Sequence, residues 1–318
     1  YTAQDQVFVL NPEVPSLVVR NTLTLVNPDA HTGAMLSFGG VHSPVYGAVA
    51  LKVYGAFDAQ NASLAFAALT ATPNLHLLTC KSLARFVGAN GVKFPTLPDV
   101  KTGRVAEISF EGDLVDNTPA GLHFVEGNRS AMVYFRAQGT ATVSGAHPIR
   151  FDECEVKLAD NQAQLHINNA GLFQSSLTDD WLTLTRGEVH LNAAGTLSVS
   201  KTRALQINTN TLLHLNHEGL TVRIAEEGVT IPAIPAENYA LELRGSLRIS
   251  KGKLIVGAPN LPAGRTADFQ YYVSSDTRLE LRGGRCETYG HFRGALGYSN
   301  CNISYIQSGG EFFVAAPN

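Results

Sequence analysis

Asp179, Asp180 and Trp181 place two carboxylates beside an aromatic ring. Glycoside cleavage uses a pair of acids, one to protonate the leaving oxygen and one to activate water. Adjacent strand residues point to opposite faces, however, and this pair precedes Leu182 in an expected turn. Solvated turn acids, with Trp181 packed at a corner, are the ordinary reading. Asp179 and Asp180 are therefore weak catalytic candidates. His190, His214 and His217 are the next group with reactive side chains. A metal centre needs ligands converging within about 2 Å of one ion, and this spacing supplies no convergence. The histidines read as exposed polar residues, with neither a metal nor a cofactor expected.

Aromatic residues crowd the last fifty positions: Phe269, Tyr271, Tyr272, Tyr289, Phe292, Tyr298 and Tyr305. Rings stack on sugar faces, although inward packing in a core is their commoner use. Tyr272 and Tyr289 fall off the inward phase and are the ligand-binding candidates. Arg282, Arg285 and Arg293 with Glu280 and Glu287 read as a solvated face with cross-strand pairs. A patch for an acidic polymer is the lesser reading. Four cysteines, Cys80, Cys154, Cys286 and Cys301, lie far apart without metal-site or redox spacing. Cys286 sits on an inward position and reads as a core thiol, and a Cys286–Cys301 bridge suits an oxidising compartment. No P-loop, dinucleotide fingerprint, nucleophile elbow or zinc motif occurs. Asn61-Ala-Ser, Asn128-Arg-Ser and Asn302-Ile-Ser match the glycosylation acceptor pattern.

The elements that position these residues follow from a recurring ten-residue pattern: apolar, any, apolar, four turn residues, apolar, any, apolar. It reads Ile149-x-Phe151…Val156-x-Leu158, then Leu182-x-Leu184…Val189-x-Leu191, then Leu213-x-Leu215…Leu220-x-Val222. It continues as Leu247-x-Ile249…Leu254-x-Val256 and Leu279-x-Leu281…Cys286-x-Thr288, so the steps are 33, 31, 34 and 32. Alternation of period two marks a strand with one buried face. Repetition every 20 to 50 residues marks a stack in which each unit covers the apolar face of its neighbour.

Two fainter ladders share the interval: Leu165-x-Ile167, Leu197-x-Val199 and Val229-x-Ile231, then Leu205-x-Ile207, Tyr239-x-Leu241 and Phe269-x-Tyr271. Two or three short strands in each such repeat describe one coil of an all-β, parallel, right-handed β-helix. The third of the four turn residues is Cys154, Gly187, Glu218, Gly252 or Gly284. Glycine there predicts positive φ or close approach to the next coil. Asn-Gly occurs once, at Asn90-Gly91, and Asp-Gly not at all, so the hairpin turns of an antiparallel sandwich are scarce.

Upstream of Ile149 the phase is lost, though Leu23-x-Leu25, Leu51-x-Val53, Leu75-x-Leu77, Ile108-x-Phe110 and Val133-x-Phe135 keep the style. Residues 1–148 are expected to be irregular coils of the same solenoid with loops, and 149–318 regular coils. A separate N-terminal β domain is the alternative. The Ala- and Leu-rich run from Ala62 to Ala68 predicts a short helix. Charged residues are 16% and the net charge is −3, with no basic footprint for nucleic acid. The longest apolar run is far short of a membrane span. The chain opens at Tyr1 without signal peptide or Met, and a solenoid needs capping units, so a segment of a longer polypeptide, or a chain whose open end a partner covers, is expected.

The stretches Leu279-Glu-Leu-Arg-Gly-Gly-Arg285 and Ile303-Ser-Tyr-Ile-Gln-Ser-Gly-Gly-Glu-Phe-Phe-Val314 resemble the repeats of large exported bacterial surface proteins with a parallel β-helix. In shape these are similar to autotransporter passengers, and some leave the cell by the type 9 secretion system. The resemblance covers the regular region, from Ile149 to the end of the chain. It implies a secreted or cell-surface location and a non-enzymatic role as adhesin, stalk or spacer. The implied partners are other domains of the longer chain, the export machinery and surface glycans. Polysaccharide lyases and pectin hydrolases share the β-helix, so a carbohydrate-active enzyme or carbohydrate-binding module is the alternative. Of the pectin-hydrolase signatures only Asp179-Asp180 is present; Gly-His-Gly is not.

Overall fold

The computed structural model describes residues 7–10, 16–26, 34–39, 48–67, 69, 75–88, 91–94, 103–126, 129–151, 153–169, 173–175, 181–199, 205–224, 239–259, 267–272 and 277–315. Asp179, Asp180, Val229 and Ile231 lie outside them. Every regular element among the described residues is a strand. The sheets are parallel and the chain is a β-solenoid whose coils recur at roughly 28 residues. One short antiparallel pairing, Val125–Glu126 on Arg129–Phe135, interrupts this order. The contacts divide the chain into two compact units, Tyr1–Arg136 with Ala141–Asp152, and Ala137–Thr140 with Glu153–Asn318.

In the N-terminal unit the apolar alternation becomes columns. Leu51, Leu78, Ile108 and Val133 pair in succession, and so do Val53, Cys80, Phe110 and Phe135. All eight are at most 1% exposed. Burying such side chains stabilises by about 1.5–3 kcal/mol each. Leu77 belongs to the outward side and is exposed, so the inward pair of that coil is Leu78 and Cys80. A second face stacks Phe57 on Ala84 and Ala59 on Phe86, and a third stacks Leu36 on Leu64 and Phe38 on Phe66. Phenylalanine fills the interior: Phe38–Phe66, Phe57–Phe86 and Phe110–Phe135 centroids lie 4.7, 5.6 and 5.8 Å apart.

Residues 62–66 form a buried strand rather than the expected helix. Its stacking on Ala34–Phe38 and Val92–Lys93 overrides the helix preference of Ala and Leu.

In the C-terminal unit three faces run in register. The first carries Val156, Leu184, Ile207, Leu243 and Tyr271. The second carries Leu165, Val189, Leu213, Leu247, Leu279 and Tyr305. The third carries Leu197, Val222, Leu254, Cys286 and Phe312. The sequence pattern mixes these faces. The strand Trp181–Leu191 turns a corner at Gly187, giving Leu184 to the first face and Val189 and Leu191 to the second. Leu182…Leu191 therefore spans the first corner, whereas Leu213…Val222 spans the next. Leu184 is buried but not in one column with Leu215 and Ile249, which do pair. Leu165 and Leu197 likewise lie on different faces, and Leu205 pairs with Leu241 rather than Tyr239.

The expected glycine corners are present. Gly187, Gly252 and Gly284 have φ of 80°, 80° and 67°. A Cβ at Gly284 would stand 2.4 Å from the Gly252 carbonyl oxygen, so each coil lies on the backbone of the last.

Candidate functional site

The second face of the C-terminal unit has an inward apolar side and an outward polar one. Its first three coils share one short step: Leu165 pairs with Val189, and Val189 with Leu213. Between the inward residues, His166, His190 and His214 form one outward column, and Arg248 and Glu280 continue it. Two residues along, Asn168, Asn192 and Asn216 form a second column. Asn192 Nδ2 donates to Asn168 Oδ1, and Asn216 Nδ2 to Asn192 Oδ1, each at 3.1 Å. Ser250, whose backbone N–H donates to the Leu215 carbonyl, and Arg282, whose N–H donates to that of Ile249, extend this column.

Within the histidine column the His166 and His190 rings stack at 4.7 Å. His190 Nδ1 lies 3.0 Å from His214 Nδ1. His190 Nε2 lies 3.0 Å from Glu188 Oε2, and His214 Nε2 lies 2.9 Å from Ser250 Oγ. With neutral rings these contacts fix the protons. A carboxylate only accepts, so His190 Nε2–H donates to Glu188 and His190 Nδ1 becomes an acceptor. His214 Nδ1–H donates to it, which leaves His214 Nε2 to accept the Ser250 hydroxyl proton. Ser250, His214, His190 and Glu188 form a single ordered chain.

Burial, joined by the charges of His190, Arg248 and Arg282, lowers the His214 pKa to about 4, against a smaller opposing effect of Glu188. Burial and His190 also lower His166. On the next coils Glu280 takes Arg248 Nε at 2.8 Å, Arg278 Nε at 2.6 Å and Arg282 at 2.8 Å. Burial pushes this carboxyl up, but the three arginines outweigh it and hold the group below its usual value. The cross-strand pairs expected from the sequence are present. Their carboxylates are not solvated, however: the Glu280 and Glu287 side chains are each only 4% exposed, covered by cationic stems.

Other sequence candidates fall elsewhere. Trp181 opens a strand, not a turn. Tyr272 is buried, its ring edge-on to Tyr298 at 5.1 Å with the Arg244 guanidinium 4.1 Å above it. The Tyr289 hydroxyl donates to Glu287 Oε2 at 3.3 Å, and its ring meets Phe313 at 6.1 Å. His217 stands outside the column, accepting the Gly219 N–H. All four cysteines are free thiols, and burial pushes Cys80 and Cys286 up to about 12. A separate buried carboxylate, Asp268, accepts the His291 backbone N–H at 2.9 Å and pairs with His291 Nδ1 and Arg293.

The histidine column escaped the sequence reading, yet a signal for it exists: Leu165-His-Ile-Asn168, Val189-His-Leu-Asn192 and Leu213-His-Leu-Asn216 recur at a step of 24. Among the described residues no group of three or more His, Cys, Asp or Glu is arranged to hold a metal ion. No described helix is long and apolar enough to cross a membrane. Comparison of the chain with protein-family models, curated proteins and solved structures finds no match.

Proposed function

We propose that this β-solenoid is a structural segment, an adhesin, stalk or spacer, of a longer secreted or cell-surface protein. Its partners are then the neighbouring domains of that chain, an export machinery of the autotransporter or type 9 kind, and glycans at the surface. One observation supports the reading above others: outward polar side chains engage the coil above or below, as in the asparagine column and the Arg248–Glu280 pair. Such a surface suits holding a stack together. Antibody raised against the segment should label intact source cells without permeabilisation. Labelling only after permeabilisation would remove the surface role.

A second reading, a carbohydrate-active enzyme, draws on a different observation: the ordered Ser250–His214–His190–Glu188 chain. A nucleophile, a base and an orienting group within hydrogen-bond reach are what acyl transfer needs. Incubation with acidic and neutral polysaccharides separates the readings, since the purely structural one requires that neither backbone cleavage nor ester release occurs. A carbohydrate-binding module that uses Tyr272 and Tyr289 is a third, lesser reading, because neighbouring groups already contact both rings. Loss of glycan-array signal in Tyr272→Ala and Tyr289→Ala would support it.

A further inference from the structure

We propose that Ser250 is the nucleophile of an ester-hydrolysing site on the second face of the C-terminal unit, with His214 as its general base. The proposal rests on the enzyme reading above and names its reaction. His190 and Glu188 are positioning residues: their hydrogen bonds hold His214 in the tautomer whose Nε2 lone pair faces the Ser250 hydroxyl at 2.9 Å. Ser250 follows the strand Ser246–Ile249, and its backbone is tied to the coil before it by the bond to Leu215, so the hydroxyl sits on a rigid element. The Arg282 side chain, half exposed, lies one coil further along the same column. Arg248 continues the histidine column next to His214. Both guanidiniums pair with Glu280, which offsets their charge. The substrate class is an O-acyl ester.

In the first step Ser250 Oγ bonds to the acyl carbon and its proton passes to His214 Nε2. The ester C–O bond then breaks, and the leaving alcohol takes that proton. Water attacks the acyl-serine, giving a proton to His214 and releasing the acid. The returning Ser250 oxygen takes the proton back, so atoms and charge balance with water as the only co-reactant.

His190, Glu188, Arg248 and Arg282 are the titratable and charged groups that act on His214. Arg248 and Arg282 disfavour the imidazolium, while Glu188 favours it. The acid limb of the rate profile accordingly lies below the ordinary histidine range. Glu188→Gln moves that limb to still lower pH and slows turnover.

The experiment uses the 318-residue chain, with folding of each variant checked by circular dichroism and a urea midpoint. A biotinylated fluorophosphonate should label Ser250, located by peptide mass spectrometry. Turnover of p-nitrophenyl acetate and of O-acetylated polygalacturonate should fall at least about 100-fold in Ser250→Ala and in His214→Gln. Labelling of another residue, or turnover that survives Ser250→Ala, overturns the site but leaves the enzyme reading standing. A folded protein with no label, no ester release and no polysaccharide backbone cleavage overturns both. An acid limb unmoved by Glu188→Gln removes the positioning role.

Discussion

The second face of the C-terminal unit contains two kinds of coil. From Leu165 through Val189 to Leu213 each step is 24; from Leu213 onward the steps are 34, 32 and 26. Both stretches bury inward aliphatic columns as far as Leu279 and Leu281; the last coil puts Tyr305 and Gln307 there, both exposed. Their outward columns differ: His and Asn side chains on the short coils, Arg and Glu on the longer ones. One backbone geometry thus satisfies its polar surface in two ways. The His and Asn column depends on an ordered set of protons and responds to acid, whereas the ionic column depends on charge and responds to salt.

Substitutions inside the stack carry the largest expected effect. Leu215→Asp and Ile249→Asp place an uncompensated charge at paired, fully buried positions and cost several kcal/mol each. Both variants should fail to give a folded far-ultraviolet circular dichroism spectrum, showing that short and long coils share one core. A folded spectrum from either would contradict the inward assignment.

Acid acts next. Burial lowers His76 to about 4 from 6.5; its Nδ1 accepts the Val49 N–H and its Nε2 meets the Ala67 carbonyl. His214 is lowered to about 4 as well. Between pH 6.5 and 4 the unfolded chain binds more protons than the folded one, so stability is full above pH 6.5 and falls as pH drops toward 4. His76 alone accounts for about 3 kcal/mol at most, and His214 for less, because its half-exposed ring is screened by water. Urea midpoints at pH 7 and pH 4.5 measure the difference, and equal midpoints would remove the acid-sensitive half of the comparison.

Glu280→Ala leaves three arginines without their shared partner and should cost about 1–3 kcal/mol, a loss that shrinks in high salt. Asn192→Ala removes an amide that bonds Asn168, Asn216 and His166 and should cost about 1–2 kcal/mol, independent of salt. The more exposed Arg285–Glu311 pair marks the lower bound: Glu311→Gln should change stability by less than about 1 kcal/mol. Opposite salt responses for Glu280 and Asn192 would reverse the assignment of the two columns.

Much of the fold is legible because period-two alternation is a local property. Leu51, Ile108, Val133, Leu213, Leu247 and Leu279 are all marked by the pattern, and all occupy inward columns. Which strands stack is less legible. Every corner of a coil presents the same pattern around a glycine or turn, so Leu182–Leu191 and Leu213–Val222 look alike while spanning different corners. The interval of 31 between them is an alias for the step of 24 that joins Val189 to Leu213. The histidine column is hidden for the same reason: a step of 31 places His190 beside no other histidine, whereas a step of 24 stacks three. Ala62–Phe66 shows the opposite failure, a helical composition drawn into a strand by its neighbours.

Oxidative crosslinking tests the shorter stacking step most directly. In a Cys301→Ser background, Asn192→Cys with Asn216→Cys joins positions whose side chains meet at 3.1 Å, and Asn192→Cys with Arg223→Cys joins positions one step of 31 apart. Mild oxidation should give an intramolecular disulfide in the first double variant and none in the second. A bridge between 192 and 223, or none between 192 and 216, would contradict the stacking on which the histidine column and its serine depend.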